Sequence, residues 1–272
     1  MGRTVHHLAG VGWALQLLQH NGRRLRRVSI DTPTLIVVRQ GAKTIYGNGI
    51  ELRIQAGEAI AFAPGPAWDM VNEPGEGGFY HSDCVAIAPE LLTDFPLAPP
   101  GQAVPPAIRG ALRLGPLPAE FADAFGRAWN GLGDRRQVPE AIARQRVQEV
   151  LVWLRLHGGV FTLDWRKETV ARVRGILAGK PDRRWQSAEV ARRMGMSEAT
   201  LRRHLAAAGV SFSGLLIDVR MSVALTLLQA TGMSILEIAT TIGYASPSRF
   251  AVRFRQRFGQ APSELRAPRR RD

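Results

Sequence analysis

The sequence contains a single cysteine, Cys84, among 272 residues. One cysteine cannot form an intramolecular disulfide, and it cannot supply the several thiolates of a structural zinc site. The six histidines are also not spaced as paired metal ligands along a strand. We therefore predict a cytoplasmic protein that holds no metal and no cofactor.

Signatures of catalysis and of membrane insertion are missing as well. Gly47-Asn48-Gly49 lies between two predicted strands with no helix after it, so it indicates a hairpin turn and not a nucleotide loop. The apolar stretch from Leu8 to Leu18 is interrupted by two glycines and is too short to span a bilayer. These observations predict neither an enzyme nor a membrane protein.

The excess of basic over acidic residues lies almost entirely in one part of the chain. Residues 165–272 hold 20 basic and 8 acidic side chains, a difference of +12, which leaves +1 of the net +13 for residues 1–164. A basic domain gains affinity for nucleic acid by releasing counterions from phosphates. A membrane surface is the rival partner, but the apolar helix faces of this segment have helices within it to cover them. The asymmetry therefore favours DNA.

The segment 234–266 predicts two helices joined by a tight turn. Apolar spacing of three and four residues, glycines suited to a left-handed conformation and an N-terminal Ser-Pro pair mark the boundaries. These signals are Ile235, Ile238, Ala239 and Ile242, then Gly243, then Ser246 and Pro247, and finally Gly259 and Pro262. The pattern is typical of a helix-turn-helix over residues 234–258.

The second of these helices carries aromatic and basic side chains in alternation. Phe250, Phe254 and Phe258 are four apart, a spacing that favours core packing over stacking on bases. Four arginines are then predicted to face solvent or a polyanion. They are Arg249, Arg253, Arg255 and Arg257.

A similar pattern occurs about fifty residues upstream, over residues 187–208. Val190, Ala191 and Met194 are predicted to face inward, Gly195 to form the turn and Ser197 to cap the second helix. Leu201, Leu205 and Ala208 are predicted to form the buried edge of that helix. A long apolar helix over 215–229 would connect the two units rigidly.

With this arrangement the sequence resembles the AraC/XylS family of bacterial transcription regulators. The resemblance rests on the run I-x-x-I-A-x-x-I-G-Y-x-S-x-S-x-F-x-x-x-F-x-x-x-F-G-x-x-P-S-x-L-R at Ile235 to Arg266 and on the duplicated motif, from about Trp185 onward. It implies a sequence-specific regulator of promoter DNA, an activator that works with RNA polymerase.

Outward positions in the first two turns of each second helix are the predicted DNA contacts. A reading helix presents these positions to base edges in the major groove. They are Ala199, Arg202 and Arg203 in the first unit, and Ser248, Arg249, Val252 and Arg253 in the second, with Arg255 predicted to hold phosphate.

The N-terminal part predicts short strands instead of helices. Six β-branched or aromatic runs are separated by Gly, Pro and Asn. They are Thr34 to Arg39, Ala42 to Tyr46, Ile50 to Ile54, Ala59 to Ala63, Trp68 to Asn72 and Phe79 to Ile87. They indicate an antiparallel barrel or roll, which resembles the cupin-like sensor domain of many family members.

The predicted fold class is thus α+β, with three segments. Residues 1–118 form the cupin-like domain, residues 119–160 a helical extension and residues 165–268 the all-α double helix-turn-helix domain. The N-terminal domain is expected to bind a small effector, and alternatively it is a docking module for a protein partner. Arg39, Tyr46, Arg53 and Trp68 are candidate anchors for an effector.

The predicted helix over 139–157 has an apolar side formed by Val147, Val150, Leu151 and Leu154. In the family that the chain resembles, helices at this point commonly mediate self-association. The alternative is that they only cap the sensor core. A homodimer through these four residues is thus one of two expectations for this helix.

Overall fold

The computed structural model describes residues 5–20, 22, 24–93, 95–133, 137–164 and 168–265. Two compact units are present, with the boundary between Leu163 and Asp164. The tail at 266–272 and residues 165–167, which belong to the ends of the predicted DNA-binding segment, lie outside the described residues. Each unit has its own core and is described separately.

The first unit is built on antiparallel strands. Its strands are β1 (Val5–Leu8), β2 (Gly12–Gln19), β3 (Arg24–Ser29), β4 (Thr34–Gln40), β5 (Ala42–Gly47), β6 (Ile50–Gln55), β7 (Glu58–Phe62), β8 (Ala67–Glu73), β9 (Tyr80–Ile87) and β10 (Ala111–Pro116). Within the described residues they form a six-stranded sheet, in the order β1-β2-β9-β4-β7-β10, and a four-stranded sheet, in the order β3-β8-β5-β6. All six predicted strands are confirmed.

Alternation along β9 shows how the larger sheet is buried on both sides. Val85 and Ile87 belong to the core shared with the helices. Tyr80, Ser82 and Cys84 point to the opposite face, because successive side chains of a strand alternate. There the Tyr80 ring lies 5.3 Å from Nζ of Lys43 on β5 of the smaller sheet. The two sheets therefore enclose an interior, and helices cover the outer face of the larger sheet.

Helices follow the strands and complete this unit. They are α1 (Pro89–Thr93), α2 (Ala119–Gly133) and α3 (Glu140–Leu156). Phe121, Phe125 and Ala128 of α2 are fully buried against the sheet in the same cluster as Leu35 and Val85. The segment predicted as a separate helical extension is therefore part of the sheet domain's core.

The predicted dimer surface on α3 is corrected by this packing. Val147 and Val150 are 0% exposed, and Leu151 and Leu154 are 4% and 1% exposed, all within the core cluster of the first unit. Their apolar stripe is explained by the sheet and α2, which already cover it. These four side chains are therefore not available for self-association in the folded unit.

The second unit is all-helical over its described residues. Its helices are α4 (Thr169–Ala178), α5 (Ser187–Arg193), α6 (Glu198–Ala207), α7 (Phe212–Ala230), α8 (Ile235–Thr241), α9 (Pro247–Phe258) and α10 (Pro262–Leu265). Among the described residues, α7 alone is long and apolar enough to cross a membrane by length and composition. It contacts α4, α8, α9 and α10, and Val219, Met221 and Ala224 are fully buried. Its apolar character is thus that of the central helix of a core.

Candidate nucleic-acid interface

The first helix-turn-helix is formed by α5 and α6. Val190 and Ala191 pack with Leu201 and Leu205 in one buried cluster. Gly195 in the turn has a φ of +71°, which L side chains rarely adopt. The Ser197 hydroxyl accepts a hydrogen bond from the Thr200 amide at 3.1 Å and caps α6.

One predicted core position of this motif is wrong. Ala208 is exposed, because α6 ends at Ala207 and Ala208 is the capping residue that follows. The helical spacing that places Leu201 and Leu205 inside does not continue past the last turn. The buried edge of α6 is therefore shorter than predicted.

In the second helix-turn-helix, formed by α8 and α9, a capping residue or a glycine of positive φ marks each helix end. Ser234 and Glu237 form a reciprocal capping box at the start of α8. Gly243 in the turn has a φ of +82°. Ser246 accepts a hydrogen bond from the Arg249 amide at 3.4 Å, Pro247 occupies the first turn of α9, and Gly259 ends it at φ +80°. The predicted caps and turn are confirmed.

The aromatic stripe of α9 lies inside the domain. Phe250, Phe254 and Phe258 are each 0% exposed, with ring centroids 5.6 Å and 4.7 Å apart along the stripe. Rings that are fully buried cannot stack on bases. Core packing, the interpretation favoured by their spacing, is therefore confirmed.

All side chains predicted to contact DNA are on the surface of the second unit. The exposed set is Ala199, Arg202, Arg203, Ser248, Arg249, Val252, Arg253 and Arg255. The first three belong to α6 and the other five to α9. Their accessibility is what contact with a polyanion requires, and it is consistent with their proposed role.

Arg257 is an exception among the arginines predicted to face outward. It is 8% exposed, and its Nε lies 2.8 Å from Oδ1 of Asp218 on α7. Counting from Phe250 and Phe254, Arg257 is seven and three residues along and falls on the apolar face of α9. Its charge therefore fixes α9 to the central helix and is not available to phosphate.

An acidic residue, Glu198, lies beside the predicted DNA contacts of α6, although it is not one of the residues that the sequence predicts for this interface. Glu198, the first residue of α6, forms an ion pair with Arg202 one turn later and accepts a hydrogen bond from the Ser187 hydroxyl. The i, i+4 spacing of Glu198 and Arg202 is a visible sequence signal. The contact with Ser187 depends on how α5 and α6 pack.

The interior between the two sheets of the first unit holds a polar cluster. Nζ of Lys43 donates to Oδ1 of Asn72 at 2.6 Å, and the Asn72 amide donates to Gln19 at 2.9 Å. The hydroxyls of Tyr80 and Ser82 are buried there without a hydrogen bond of normal geometry among the described residues. The cluster therefore contains buried polar groups whose hydrogen-bonding capacity is not fully used.

Burial changes the ionisation of this cluster. It lowers the pKa of Lys43 to about 8, raises that of Cys84 to about 12 and raises that of Tyr80 well above its ordinary value, which the Ser82 hydroxyl only partly opposes. Among the described residues, Lys43 forms no ion pair with a carboxylate. A buried ammonium group without a carboxylate is costly, and such groups are often functional.

Of the four candidate effector anchors, only Trp68 lies in this interior. Arg39 pairs with Asp83, and Arg53 pairs with Glu73. The Tyr46 ring is covered by the guanidinium of Arg24, 4.4 Å from its centroid. The sequence does not single out Lys43, because the alternation of side chains along β5 does not indicate which face of the strand becomes enclosed. No group of three or more His, Cys, Asp or Glu able to hold a metal occurs in the described residues.

Comparison with known proteins connects the second unit to a family. A family model described as a helix-turn-helix domain matches residues 190–268. The urease operon transcriptional activator of Escherichia coli is 31% identical over 107 residues, which are 39% of this chain and 36% of that protein. The transcriptional regulator SirC of Salmonella typhimurium is 39% identical over 94 residues, 35% of this chain and 32% of its own. The chain thus spans about a third of the length of these relatives.

Solved structures extend the similarity of fold to both units. ToxT from Vibrio cholerae with a bound unsaturated fatty acid superposes with a TM-score of 0.68 at 15% identity, covering 97% of this chain and 95% of ToxT. At this identity the match establishes the fold, with N-terminal antiparallel sheets and a C-terminal helical domain. Over its described residues the C-terminal unit is thus a double helix-turn-helix domain, and its sequence is similar to that of AraC/XylS-type DNA-binding transcription regulators.

Proposed function

We propose that this protein is a cytoplasmic transcription regulator that binds promoter DNA through α6 and α9 and is controlled by a small ligand in its N-terminal unit. We further propose that it activates transcription together with RNA polymerase. The observation that carries the DNA part is the pair of capped helices with every predicted contact residue exposed. The charge excess of residues 165–272 supports the same partner.

The two reading helices are expected to differ in their roles. Arg202 and Arg203 on α6 can each donate two hydrogen bonds to guanine, whereas Ser248 and Val252 on α9 offer a hydroxyl and methyl groups. We infer that α6 carries most of the sequence discrimination and that α9 mainly binds phosphate. With α7 between them, the two helices would enter successive major grooves, about 10 base pairs apart.

Replacing Arg202 by alanine is expected to relax the preference at one or two base positions, at a cost of roughly 1 to 3 kcal/mol in binding free energy. Arg255→Ala should instead weaken binding to all sequences similarly and reduce the salt slope by about one. Selection of preferred sites from random DNA, combined with salt titrations, measures both effects. If Arg202→Ala kept the wild-type motif and Arg255→Ala changed it, the assigned roles would be reversed.

The ligand part of the proposal rests on Lys43. The ammonium group of Lys43 carries three N–H donors at a fully buried position, where Asn72 provides the single side-chain acceptor within the described residues, and the buried hydroxyls of Tyr80 and Ser82 can donate as well. An anionic group of a ligand would satisfy these donors and offset the cost of the buried charge. Apolar residues such as Ile45, Ile54 and Ile60, each 0% exposed, line the rest of the interior. We therefore infer a ligand with a carboxylate and an apolar body.

Lys43→Met tests this assignment through two independent readouts. In the wild type the lowered pKa means that the unfolded chain binds more protons between about pH 8 and 10, so Lys43 makes stability rise with pH over that window. Cys84 acts in the opposite direction above about pH 9 in both proteins, so the difference between variant and wild type isolates Lys43. The variant should lack the rise, which amounts to at most about 3 kcal/mol.

The second readout is the melting temperature with a probe present. Palmitoleate should raise it for the wild type and not for Lys43→Met, and the methyl ester of the same acid should raise it for neither. Lys180→Met, at an exposed lysine of the other unit, provides the matched control. Equal stabilisation of wild type and Lys43→Met by palmitoleate would refute Lys43 as the anchor.

A further inference from the structure

Glu198 is placed unusually for a residue on a helix that binds DNA. It is the first residue of α6, four positions before Arg202, and its carboxylate is directed to the side chains of that face. A negative charge beside phosphates opposes binding, because it cancels part of the attraction that basic residues supply. The second reading helix, α9, has no acidic residue in its first turn. A role for Glu198 must therefore offset this cost.

An interaction with the helix dipole explains only part of the placement. Acidic residues in the first turn of any helix are stabilised by the helix dipole, and Glu198 would receive this stabilisation whichever way its side chain pointed. Here the carboxylate is held at two points, by the hydroxyl of Ser187 on α5 and by Nη2 of Arg202. The carboxylate thus connects the packed start of α5 to the guanidinium of Arg202.

Arg202 remains available for DNA despite this contact. Its side chain is 70% exposed, and a guanidinium has five N–H donors, of which the carboxylate takes one. The remaining donors can still form the two parallel bonds that guanine O6 and N7 accept. Arg203, the adjacent exposed arginine, forms no ion pair among the described residues. The two neighbouring arginines therefore differ in how far they are held in place before DNA arrives.

We propose that Glu198 is a positioning residue that orients the guanidinium of Arg202 and so sharpens the base preference read by α6. This inference rests on the proposed function, since it assumes that α6 reads bases. A long side chain that is already ordered loses less entropy on binding, so the contact with the correct base is strengthened relative to others. In exchange, Glu198 weakens the attraction to DNA of any sequence. Specificity is thereby gained at the expense of overall affinity.

Glu198→Gln is the informative variant, because glutamine can still accept a hydrogen bond from Ser187 while the charge that holds Arg202 is removed. Discrimination at the base positions that Arg202 reads should fall roughly two- to tenfold. Affinity for scrambled DNA should rise several-fold, with a salt slope steeper by about one, since the released Arg202 can reach a phosphate. The measurements are site selection and salt titration with the full-length protein, for wild type, Glu198→Gln, Arg202→Ala and the double variant.

Glu189→Gln supplies the matched control. Glu189 also pairs with an arginine one turn later, Arg193, and with a second group, Arg183, but it belongs to α5 and not to the reading helix. Its replacement removes the same charge from the same motif and should leave base preference unchanged. Equal thermal melting of the two variants would show that neither difference arises from unfolding.

Each outcome of this comparison is decisive. In the double variant, loss of Glu198 should add nothing to the loss of preference caused by Arg202→Ala. If Glu198→Gln instead removed a preference for cytosine at another position, also in the Arg202→Ala background, Glu198 would read a base directly and the inference would be wrong. An unchanged base preference in Glu198→Gln would also overturn the inference that Glu198 positions Arg202. If the wild type selected no sequence at all, the proposed function itself would fail, which is a separate result.

Discussion

Val150→Glu is expected to unfold the N-terminal unit and not to dissociate a dimer. Val150 is 0% exposed and packs in the same core as Phe121, Phe125 and Val85. A carboxylate at this position would be buried without a partner, which costs on the order of 4 kcal/mol or more. Since a domain of this size has a total stability of about 5 to 15 kcal/mol, little would remain.

Hydrogen exchange followed by mass spectrometry can locate the effect of this substitution. Peptides from β9 and α3 should lose protection in Val150→Glu, while peptides from α7 and α9 should keep it. Leu156→Glu is the control on the same helix, because Leu156 is 69% exposed and should tolerate the charge. A Val150→Glu protein that stayed folded and sedimented at half the mass of the wild type would restore the dimer surface that the sequence indicates.

The DNA-binding domain could be predicted in detail because its determinants are local. Caps, turns and apolar spacing at Ser197, Gly195, Ser246 and Gly259 lie within a few residues of the elements that they define. The exposure of Ala208 has a local cause, the end of α6, whereas the burial of Arg257 depends on a partner distant in the chain. Arg257 of α9 is buried because it forms an ion pair with Asp218 of α7, which lies 39 residues earlier in the chain.

The sheet domain was predicted less completely. Along β2 the residues are buried or partly buried on both faces, so the stretch lacks the alternation that identifies a half-buried strand. In β3 the pairing with β8 shifts register between Leu25 and Val28, and Arg27 has a positive φ of 52°. Such an irregularity interrupts the period that the other strands show. The sequence pattern therefore does not predict β2 and β3, and it does not predict β1 and β10 either.

The polar interior around Lys43 cannot be predicted from the sequence for a different reason. The run Ala42 to Gly47 indicates a strand, but the sequence does not state which of its two faces becomes enclosed. Lysines are rarely buried, so the ordinary expectation places Lys43 on the outside. Pairing with β8 brings Lys43 opposite Asn72, and packing of the second sheet places it near Tyr80. Contacts of this kind are set by tertiary structure and have no local signal.

Arg257→Ala is expected to destabilise the second helix-turn-helix by about 2 to 4 kcal/mol. The side chain of Arg257 is 6% exposed and that of Asp218 25% exposed, so the substitution leaves a carboxylate partly buried without its counter-ion. The same change removes the packing of the guanidinium against the ring of Phe258, 5.6 Å from its centroid. Because α9 is fixed to α7 by this pair, binding to every DNA sequence should weaken as α9 loses its orientation.

Arg255→Ala provides the contrast from the same helix. Arg255 is exposed, so its loss should change the free energy of unfolding by no more than about 0.5 kcal/mol. It should nevertheless reduce the salt slope of DNA binding, as expected for a phosphate contact. Arg257→Ala should show the reverse, with a large loss of stability and an unchanged salt slope under conditions where the domain is folded. Urea unfolding and salt titration of both variants measure these four quantities.

A double-mutant cycle with Asp218→Asn isolates the ion pair from the packing. If the pair acts as inferred, Arg257→Ala should cost less in the Asp218→Asn background than in the wild type, since no carboxylate is then left unpaired. The difference should reach about 1 to 3 kcal/mol. Equal costs in the two backgrounds would mean that Arg257 stabilises α9 through contacts other than the ion pair, such as that with Phe258. If Arg257→Ala instead reduced the salt slope of DNA binding, Arg257 would contact phosphate, as its position among the arginines of α9 predicts.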